Sequence, residues 1–219
     1  MKALSLDEAA QRIRSGELVA YPTETVWGLA ADARSAAAVA KLRAWKGRDG
    51  AKALPVLVRD YGELAELRAQ TSALAERLAT KLWPGPLTLI VRCAEAFAPG
   101  IASEAGAVGF RCSPHPVARE LARAAGAITA TSFNRSGEPP CATRAQAERI
   151  AGDQIALALG EDAWGTAPSS VVDATGDEPR VLREGAIPKH EIEALAGGPL
   201  GSDPKGPPAG RRRAGGRCG

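Results

Sequence analysis

Histidine and closely spaced cysteine are scarce in this chain, and their scarcity argues against several kinds of site. The 219 residues include only two histidines, His115 and His190, and four cysteines that lie far apart without a C-x-x-C pair. A structural zinc site and a disulfide framework are therefore both disfavoured, and we interpret the cysteines as buried or incidental thiols.

Long apolar runs and the familiar nucleotide-binding motifs are absent as well. No stretch approaches the roughly 18 uninterrupted apolar residues of a transmembrane helix. The chain contains no G-x-x-x-x-G-K-[ST], G-x-G or G-x-S-x-G sequence, which disfavours a Walker ATPase, a Rossmann dehydrogenase, a protein kinase and a serine hydrolase. The N-terminus turns polar within a few residues and lacks the features of a signal peptide. We therefore expect no membrane partner and a cytoplasmic location.

The chain does contain an alternation of helix-like and strand-like segments. Ser5 with Glu8 forms a predicted capping box, Ser35 precedes a second helix, and Gly47 suits its C-terminal cap. Further helices are predicted over 61–68, 72–82, 116–125 and 143–150. Predicted strands cover 18–21, 54–58, 87–92, 107–111, 127–131, 155–159, 170–173 and 180–182. Alternation of this kind predicts an α/β domain.

A change of composition divides the chain into two predicted parts. We expect a catalytic domain over residues 1–190 and a Gly/Pro/Arg-rich C-terminal tail over residues 191–219. From about Gly197 the chain is mostly Gly, Pro, Ser and Arg, with very few apolar residues. Such a segment buries too little surface to offset the entropy of ordering, so we expect the tail to be disordered. The net charge of +3 does not by itself require a nucleic-acid partner.

Polar and cationic side chains are predicted at the ends of several strands and helices. In open α/β sheets ligands bind at the carboxyl ends of strands, and converging cations suit a polyphosphate. Each residue alone fits a helix end or a turn equally well, and Trp83-Pro84-Gly85-Pro86 is interpreted as structural because its prolines fix the backbone. The candidates are Lys46, Arg48, Lys52, Arg111, Ser132, Asn134, Ser169 and Arg183.

Six segments favour a functional role for these candidates over a purely structural one, because they occur together and in order over roughly residues 5–188. They are 21–29 (family pattern Y-P-T-[DE]-T-x-[YFW]-G-L), 46–52 (K-x-R-x-x-x-K), 83–88 (W-P-G-P-[LV]-T), 108–116 (V-x-x-R…H-P), 132–137 (S-x-N-x-S-G) and 170–185 (S-T-V-V-D…R-x-[LI]-R-x-G). Jointly they resemble the YrdC/TsaC family of threonylcarbamoyl-AMP synthases, and the chain looks like its short, single-domain form.

The resemblance implies both a fold and a reaction. The fold would be a YrdC-like, open, twisted mixed sheet with flanking helices and a concave basic cleft. The reaction would make L-threonylcarbamoyladenylate and pyrophosphate from L-threonine, bicarbonate or CO2, and ATP. A separate threonylcarbamoyl transferase complex would then use the product for the N6-threonylcarbamoyladenosine (t6A) modification of tRNA position 37. Mg²⁺ is expected on the ATP phosphates, with no metal site of the protein's own.

The resemblance also implies roles for individual residues. The implied catalytic residues are Lys46, Arg48, Ser132 and Asn134. The implied ATP-binding residues are Arg48, Lys52, Ala107, Ser132, Asn134, Pro140 and Arg183. The implied threonine-binding residues are Thr23, Thr25, Arg111, Ala130 and Ser169, with Arg111 pairing bidentately with the substrate carboxylate.

The sequence departs from the family pattern at positions that bear on the substrate. Phe133 stands where alanine is usual, and we expect it to narrow the pocket. Leu57 stands where some members carry a polar residue that contacts threonine, while Asp49 and Ala53 replace usual prolines.

Two other functions stay open at this point. The chain could be a non-catalytic module that binds double-stranded RNA or tRNA, for which steeply salt-dependent binding without ATP turnover would speak. Carbamoyl transfer, as in the related domain of hydrogenase maturation proteins, ranks lower because the accompanying zinc-finger and acylphosphatase modules are missing.

Overall fold

The computed structural model describes residues 3–47 and 52–197. Its helices are α1 Leu6–Arg14, α2 Ala36–Lys46, α3 Glu63–Glu66, α4 Ala73–Leu82, α5 Pro116–Ala125, α6 Arg144–Ala151 and α7 Lys189–Gly197. Its strands are β1 Val19–Tyr21, β2 Gly28–Ala30, β3 Val56–Leu57, β4 Ala69–Gln70, β5 Leu87–Cys93, β6 Ala107–Arg111, β7 Ile128–Thr129, β8 Thr131–Ser132, β9 Ala156–Leu157, β10 Ser170–Asp173 and β11 Arg180–Arg183. Within these ranges no helix is both long and apolar enough to cross a membrane.

The ends of the first two helices form as the local sequence predicts. Ser5 and Glu8 make a reciprocal capping box, in which the Ser5 amide donates to the Glu8 carboxylate at 2.8 Å. Ser35 accepts a hydrogen bond from the amide of Ala38 at the start of α2. Gly47 ends α2 with φ 62° and ψ 35°, a left-handed conformation that glycine adopts without steric cost.

The strands form two mixed sheets, where the sequence predicted one. The smaller sheet has the order β8-β2-β1-β9, and the larger has the order β11-β10-β5-β6-β3-β7 with β4 also paired to β5. Antiparallel pairs such as β5 with β6 alternate with parallel pairs such as β10 with β5 and β3 with β6. The α/β class and the mixed character of the sheets are confirmed.

The two sheets meet at the segment over residues 127–131. The predicted strand over 127–131 is interrupted at Ala130, so that β7 belongs to the larger sheet and β8 to the smaller one. The amide of Ala130 donates to the carbonyl of Pro55 at 2.7 Å, and the Thr129 hydroxyl donates to the carbonyl of Leu29 at 2.9 Å. These bonds join the sheets beside the cavity described below.

The folded part extends beyond the expected boundary at residue 190. Helix α7 crosses that boundary, and its residues Ile192 and Ala196 are buried in contact with the main core. Helix α7 contains too few apolar residues for the composition alone to predict that it packs against the core. Residues 198–219, which include most of the predicted tail, lie outside the described residues.

Candidate active site

A cavity of about 970 Å³ is lined by residues from both sheets. Because side chains alternate between the two faces of a strand, Thr88 and Ile90 of β5 face the cavity, as do Ala107, Gly109 and Arg111 of β6. In the larger sheet Val171, Thr88, Arg111 and Leu57 are successive cross-strand neighbours, and all four line the cavity. They form the floor of the cavity.

The described residues that line the cavity carry positive charge only. Four cationic side chains contribute to the lining, and no aspartate or glutamate among the described residues does. These cations are Lys46, Lys52, Arg111 and Arg183. A cavity of this charge attracts anionic groups such as phosphates and carboxylates.

Ten of the thirteen residues singled out from the sequence line this cavity. They are Thr23, Lys46, Lys52, Ala107, Arg111, Ala130, Ser132, Asn134, Ser169 and Arg183. Thr25 and Pro140 are not part of its lining among the described residues, although Thr25 contacts Arg111 from behind. Arg48 lies outside the described residues.

Lys46 joins the end of α2 to the loop that follows β8. The side chain is buried, with 4% exposure, and its ammonium donates to the carbonyls of Ser132 at 2.6 Å and Asn134 at 2.9 Å. The Ser132 hydroxyl in turn donates to the Asn134 side-chain oxygen at 2.6 Å. The side-chain nitrogen of Asn134 donates to the Glu138 carbonyl at 2.7 Å. Two sequence motifs 86 residues apart therefore make one hydrogen-bonded unit.

Phe133 does not narrow the cavity, contrary to the expectation from the sequence. Its side chain is fully buried in the main core and stacks on Trp45, with ring centroids 5.1 Å apart and planes at 19°. The guanidinium of Arg135 lies over the Trp45 ring, 4.3 Å from its centroid. Phe133 lies in the bend that follows β8, and its ring enters the core while Ser132 and Asn134 line the cavity.

Replacing Phe133 with alanine is expected to lower the free energy of unfolding by about 3–5 kcal/mol, the usual cost of removing a fully buried aromatic ring. The ratio of kcat/KM for a small substrate to that for a bulkier analogue should not change, because the ring lies outside the cavity. Denaturant unfolding and substrate kinetics would measure the two effects. Phe133→Leu, which refills much of the volume, serves as the control, and a widened substrate range in Phe133→Ala would contradict this assignment.

Arg111 lies at the centre of a second polar group at the end of β6. Its Nη2 donates to Glu24 at 2.8 Å and to the hydroxyl of Thr25. The hydroxyls of Thr23 and Thr25 are 2.9 Å apart, and that of Thr23 also donates to the Val26 carbonyl at 2.7 Å. The side chains around Arg111 are thus held rigidly before any ligand binds.

Ser169 and Arg183 form the third polar group, beside the floor of the cavity. The Arg183 guanidinium donates to the Ser169 carbonyl at 2.8 and 3.1 Å, and the Ser169 hydroxyl lies 2.9 Å from that of Thr88. A Cβ at Gly185 would lie 2.3 Å from the Pro168 carbonyl oxygen. Glycine is therefore required there for the segment that follows β11 to approach the backbone of this group.

Comparison with known families decides what this arrangement is related to. The family model of the Sua5, YciO and YrdC proteins, described as "Telomere recombination", matches residues 11–185. The chain belongs to the YrdC/Sua5 family of threonylcarbamoyl-AMP synthases. The family predicted from the six motifs is confirmed, and the predicted nucleotidyltransferase reaction is the one for which its relatives are named.

The YrdC/Sua5 relatives match most of this chain. It is 37% identical to the threonylcarbamoyl-AMP synthase of Bacillus subtilis, over 87% of this chain and 56% of the relative. It is 36% identical to that of Chromohalobacter salexigens, over 78% of this chain and 93% of the relative. The crystal structure of Pyrococcus abyssi Sua5 complexed with L-threonine superposes with a TM-score of 0.84 at 31% identity, over 90% of this chain and 61% of that one. The chain thus spans little more than half the length of two of these relatives.

Sequence reasoning missed three residues that hold the YrdC/Sua5 site together. Glu24 pairs with Arg111, Ser113 donates to Glu24, and Thr88 contacts Ser169. Glu24 stands inside the Tyr21–Leu29 motif between two residues that were selected, so its position was the available signal. Trp83-Pro84-Gly85-Pro86 lines no part of the cavity in the described chain. Its indole donates to the Leu87 carbonyl at 2.8 Å, which agrees with a structural role.

Burial is the largest cause of the pKa shifts of Tyr21, which lines the cavity, and of two cysteines in the core. Burial raises the pKa of Tyr21 well above its usual range, although the positive charge of Arg111 opposes the shift. Tyr21 therefore stays a neutral donor, and its hydroxyl donates to the Thr129 carbonyl at 3.2 Å. Burial also raises the pKa of the Cys112 and Cys141 thiols to about 11, so neither behaves as a reactive thiolate at neutral pH.

Proposed function

We propose that this chain forms threonylcarbamoyl-AMP from L-threonine, bicarbonate or CO2, and ATP, for the t6A modification of tRNA. The observation that supports it most is the convergence on one cavity of the Arg111 group and the Lys46–Ser132–Asn134 unit. The first suits an amino acid and the second a nucleotide. Family membership and the activity for which the relatives are named support the same reaction.

Threonine is proposed to bind at the Arg111 group. The guanidinium would pair with the substrate carboxylate, and the hydroxyls of Thr23 and Ser169 and the backbone of Ala130 would contact the rest of the molecule. Thr25 would act from behind, through Arg111. Leu57, an apolar residue on the floor of the cavity, would pack against the substrate methyl group. Charge-assisted bidentate pairing fixes orientation as well as affinity.

ATP is proposed to bind at the Lys46–Ser132–Asn134 unit. Lys52 and Arg183 line the same cavity and would neutralise phosphate charge, together with Arg48. Ala107 and Pro140 would contribute backbone atoms to the nucleotide. The buried ammonium of Lys46 acts on two loop carbonyls, so its part in catalysis is to fix the Ser132–Asn134 loop and to supply positive charge nearby.

The proposed chemistry has two steps in one cavity. The threonine nitrogen forms a bond to the carbon of CO2 and loses a proton to solvent, which gives a carbamate. If bicarbonate is the reactant, a C–O bond of bicarbonate breaks and water leaves. A carbamate oxygen then attacks the α-phosphorus of ATP. The bond between the α-phosphorus and the oxygen that bridges to the β-phosphate breaks, and pyrophosphate leaves. Positioning and charge neutralisation account for most of the acceleration in phosphoryl chemistry of this kind. The four cationic side chains of the lining provide both.

Magnesium is proposed to enter with ATP. No group of three or more His, Cys, Asp or Glu residues that could hold a metal occurs in the described part of the chain. The side-chain oxygens of Ser132 and Asn134 fit an ion that is bound chiefly by phosphates and water. When bound, the ion would neutralise phosphate charge.

The proposal is tested by ATP–pyrophosphate exchange. We expect label from pyrophosphate to enter ATP only when L-threonine and bicarbonate are both present, because the adenylate forms only from the carbamate. Equal exchange without threonine would exclude the assigned substrate. Arg48→Ala is expected to abolish exchange with an unchanged circular dichroism spectrum, and unfolding instead would show that Arg48 is structural.

A second candidate function is binding of double-stranded RNA or tRNA without catalysis. The lining of cations without a described acidic residue would also attract a phosphate backbone. RNA binding that weakens steeply with salt, in a protein that shows no exchange, would favour this function. A transferase complex that accepts the adenylate is the partner expected if exchange is observed.

A further inference from the structure

Glu24 forms a buried ion pair with the residue proposed to bind the substrate carboxylate. Its oxygen lies 2.8 Å from Nη2 of Arg111, and each side chain is 8% exposed. Glu24 itself is not part of the lining of the cavity, whereas Arg111 is. The Glu24 carboxylate therefore lies outside the lining of the cavity, and it contacts the lining through Arg111.

The carboxylate of Glu24 is itself held from several sides. The Ser113 hydroxyl donates to its second oxygen and accepts a hydrogen bond from the amide of His115 at 3.2 Å. The ring of His115 packs on Trp164, with centroids 4.7 Å apart, and the Trp164 amide donates to the Thr23 carbonyl at 3.1 Å. The neighbouring Gly165 lies so close that a Cβ there would be 2.9 Å from the Glu24 carbonyl. Glu24 thus has little freedom to move.

One hydrogen-bond donor of Arg111 is not used within the described part of the chain. Its Nε is buried and has no hydrogen-bond partner in the part of the chain that the structure describes. Unpaired buried donors are rare, because a buried N–H group that loses its bond to water without gaining another acceptor destabilises the fold. A carboxylate that enters the cavity next to Arg111 would supply the missing acceptor.

We propose that Glu24 is a positioning residue that holds Arg111 in the orientation that receives the substrate carboxylate. This inference rests on the proposed function, in which that carboxylate belongs to threonine. Glu24 binds Nη2 and fixes the guanidinium plane, while Ser113 fixes Glu24. The remaining N–H groups of Arg111 are then available to the substrate without a search among rotamers, which lowers the entropic cost of binding.

Positioning and charge compensation predict opposite effects for the loss of this carboxylate. If Glu24 mainly neutralised Arg111, its removal would leave a stronger positive charge and threonine would bind more tightly. If Glu24 mainly holds Arg111 in place, its removal would free the guanidinium and threonine would bind more weakly. The sign of the change in affinity therefore separates the two.

The test measures the dissociation constant of L-threonine by calorimetry in the absence of ATP, and both KM values in the exchange reaction. We expect Glu24→Gln to weaken threonine binding about tenfold, as loss of a charge-assisted hydrogen bond would, with KM for ATP within about twofold. Glu24→Asp, which keeps the charge, should recover part of the loss. Glu120→Gln, the same change at an exposed glutamate of α5, should have no effect.

The experiment distinguishes failure of the inference about Glu24 from failure of the proposed function. Unchanged or tighter threonine binding in Glu24→Gln would overturn the inference even if exchange by the unaltered protein supports the proposed function. Threonine binding without exchange would refute the proposed reaction and still decide the role of Glu24, whereas absence of threonine binding by the unaltered protein would overturn both. If Glu24→Gln fails to fold, Ser113→Ala provides the decision, because freeing Glu24 from one side should weaken threonine binding about threefold, and no weakening would contradict positioning.

Discussion

Replacing Arg111 with lysine is expected to lower kcat/KM for threonine about a hundredfold and to leave KM for ATP within about twofold. Lysine keeps the positive charge beside Glu24 but lacks the planar fork that binds a carboxylate through two parallel hydrogen bonds. A hundredfold loss corresponds to about 2.7 kcal/mol, within the range for hydrogen bonds to charged groups. Initial-rate kinetics with each substrate varied in turn would measure the effect on threonine separately from the effect on ATP.

The matched control for this change is Arg92→Lys. Arg92 is an exposed residue of β5, the strand paired with that of Arg111, and it does not line the cavity. Its replacement should leave both kinetic constants unchanged. An equal rise in KM for ATP in Arg111→Lys would contradict the division of the cavity into an amino-acid end and a nucleotide end.

Replacing Lys46 with methionine is expected to lower the exchange rate at least a hundredfold. The change keeps the apolar stem in the core but removes the ammonium that holds the carbonyls of Ser132 and Asn134. The buried Asn134 carbonyl and the half-buried Ser132 carbonyl would then lose their donor, at up to about 1–3 kcal/mol each, and the loop would lose the geometry that nucleotide binding requires. Exchange kinetics together with thermal unfolding would measure the effect.

Lys41→Met provides the comparison for Lys46→Met. Lys41 is an exposed residue of the same helix, α2, so the two variants make the same chemical change in different surroundings. Lys41→Met should retain full exchange and nearly the same unfolding temperature. A Lys46→Met protein that is less stable but fully active would show that the buried ammonium serves the fold alone.

The parts of the fold that follow from local chemistry were predictable. The capping box of Ser5 and Glu8 and the left-handed cap at Gly47 depend on residues a few positions apart. Strand β2, by contrast, is a three-residue Gly-Leu-Ala segment with every residue buried, which shows neither alternation nor polar borders. The division of 127–131 between two sheets arises from long-range hydrogen bonds at Ala130 and Thr129, which no local pattern encodes.

The candidate site was predictable where residues face the cavity directly, and less so where they act through a neighbour. Lys46 was assigned to phosphates, but its ammonium contacts loop carbonyls, because a buried lysine must find acceptors. Glu24 was overlooked because its partner Arg111 is 87 residues away. Phe133 was expected in the pocket, but the bend after β8 places its ring in the core.

The most direct test of the proposed reaction is the identity of the nucleotide product formed from ¹³C-bicarbonate, L-threonine and ATP. The labile product would be analysed by mass spectrometry immediately after mixing. We predict a threonylcarbamoyl-AMP that carries the labelled carbon and appears together with pyrophosphate. A threonine adenylate without the labelled carbon, or ADP in place of pyrophosphate, would contradict the proposed reaction.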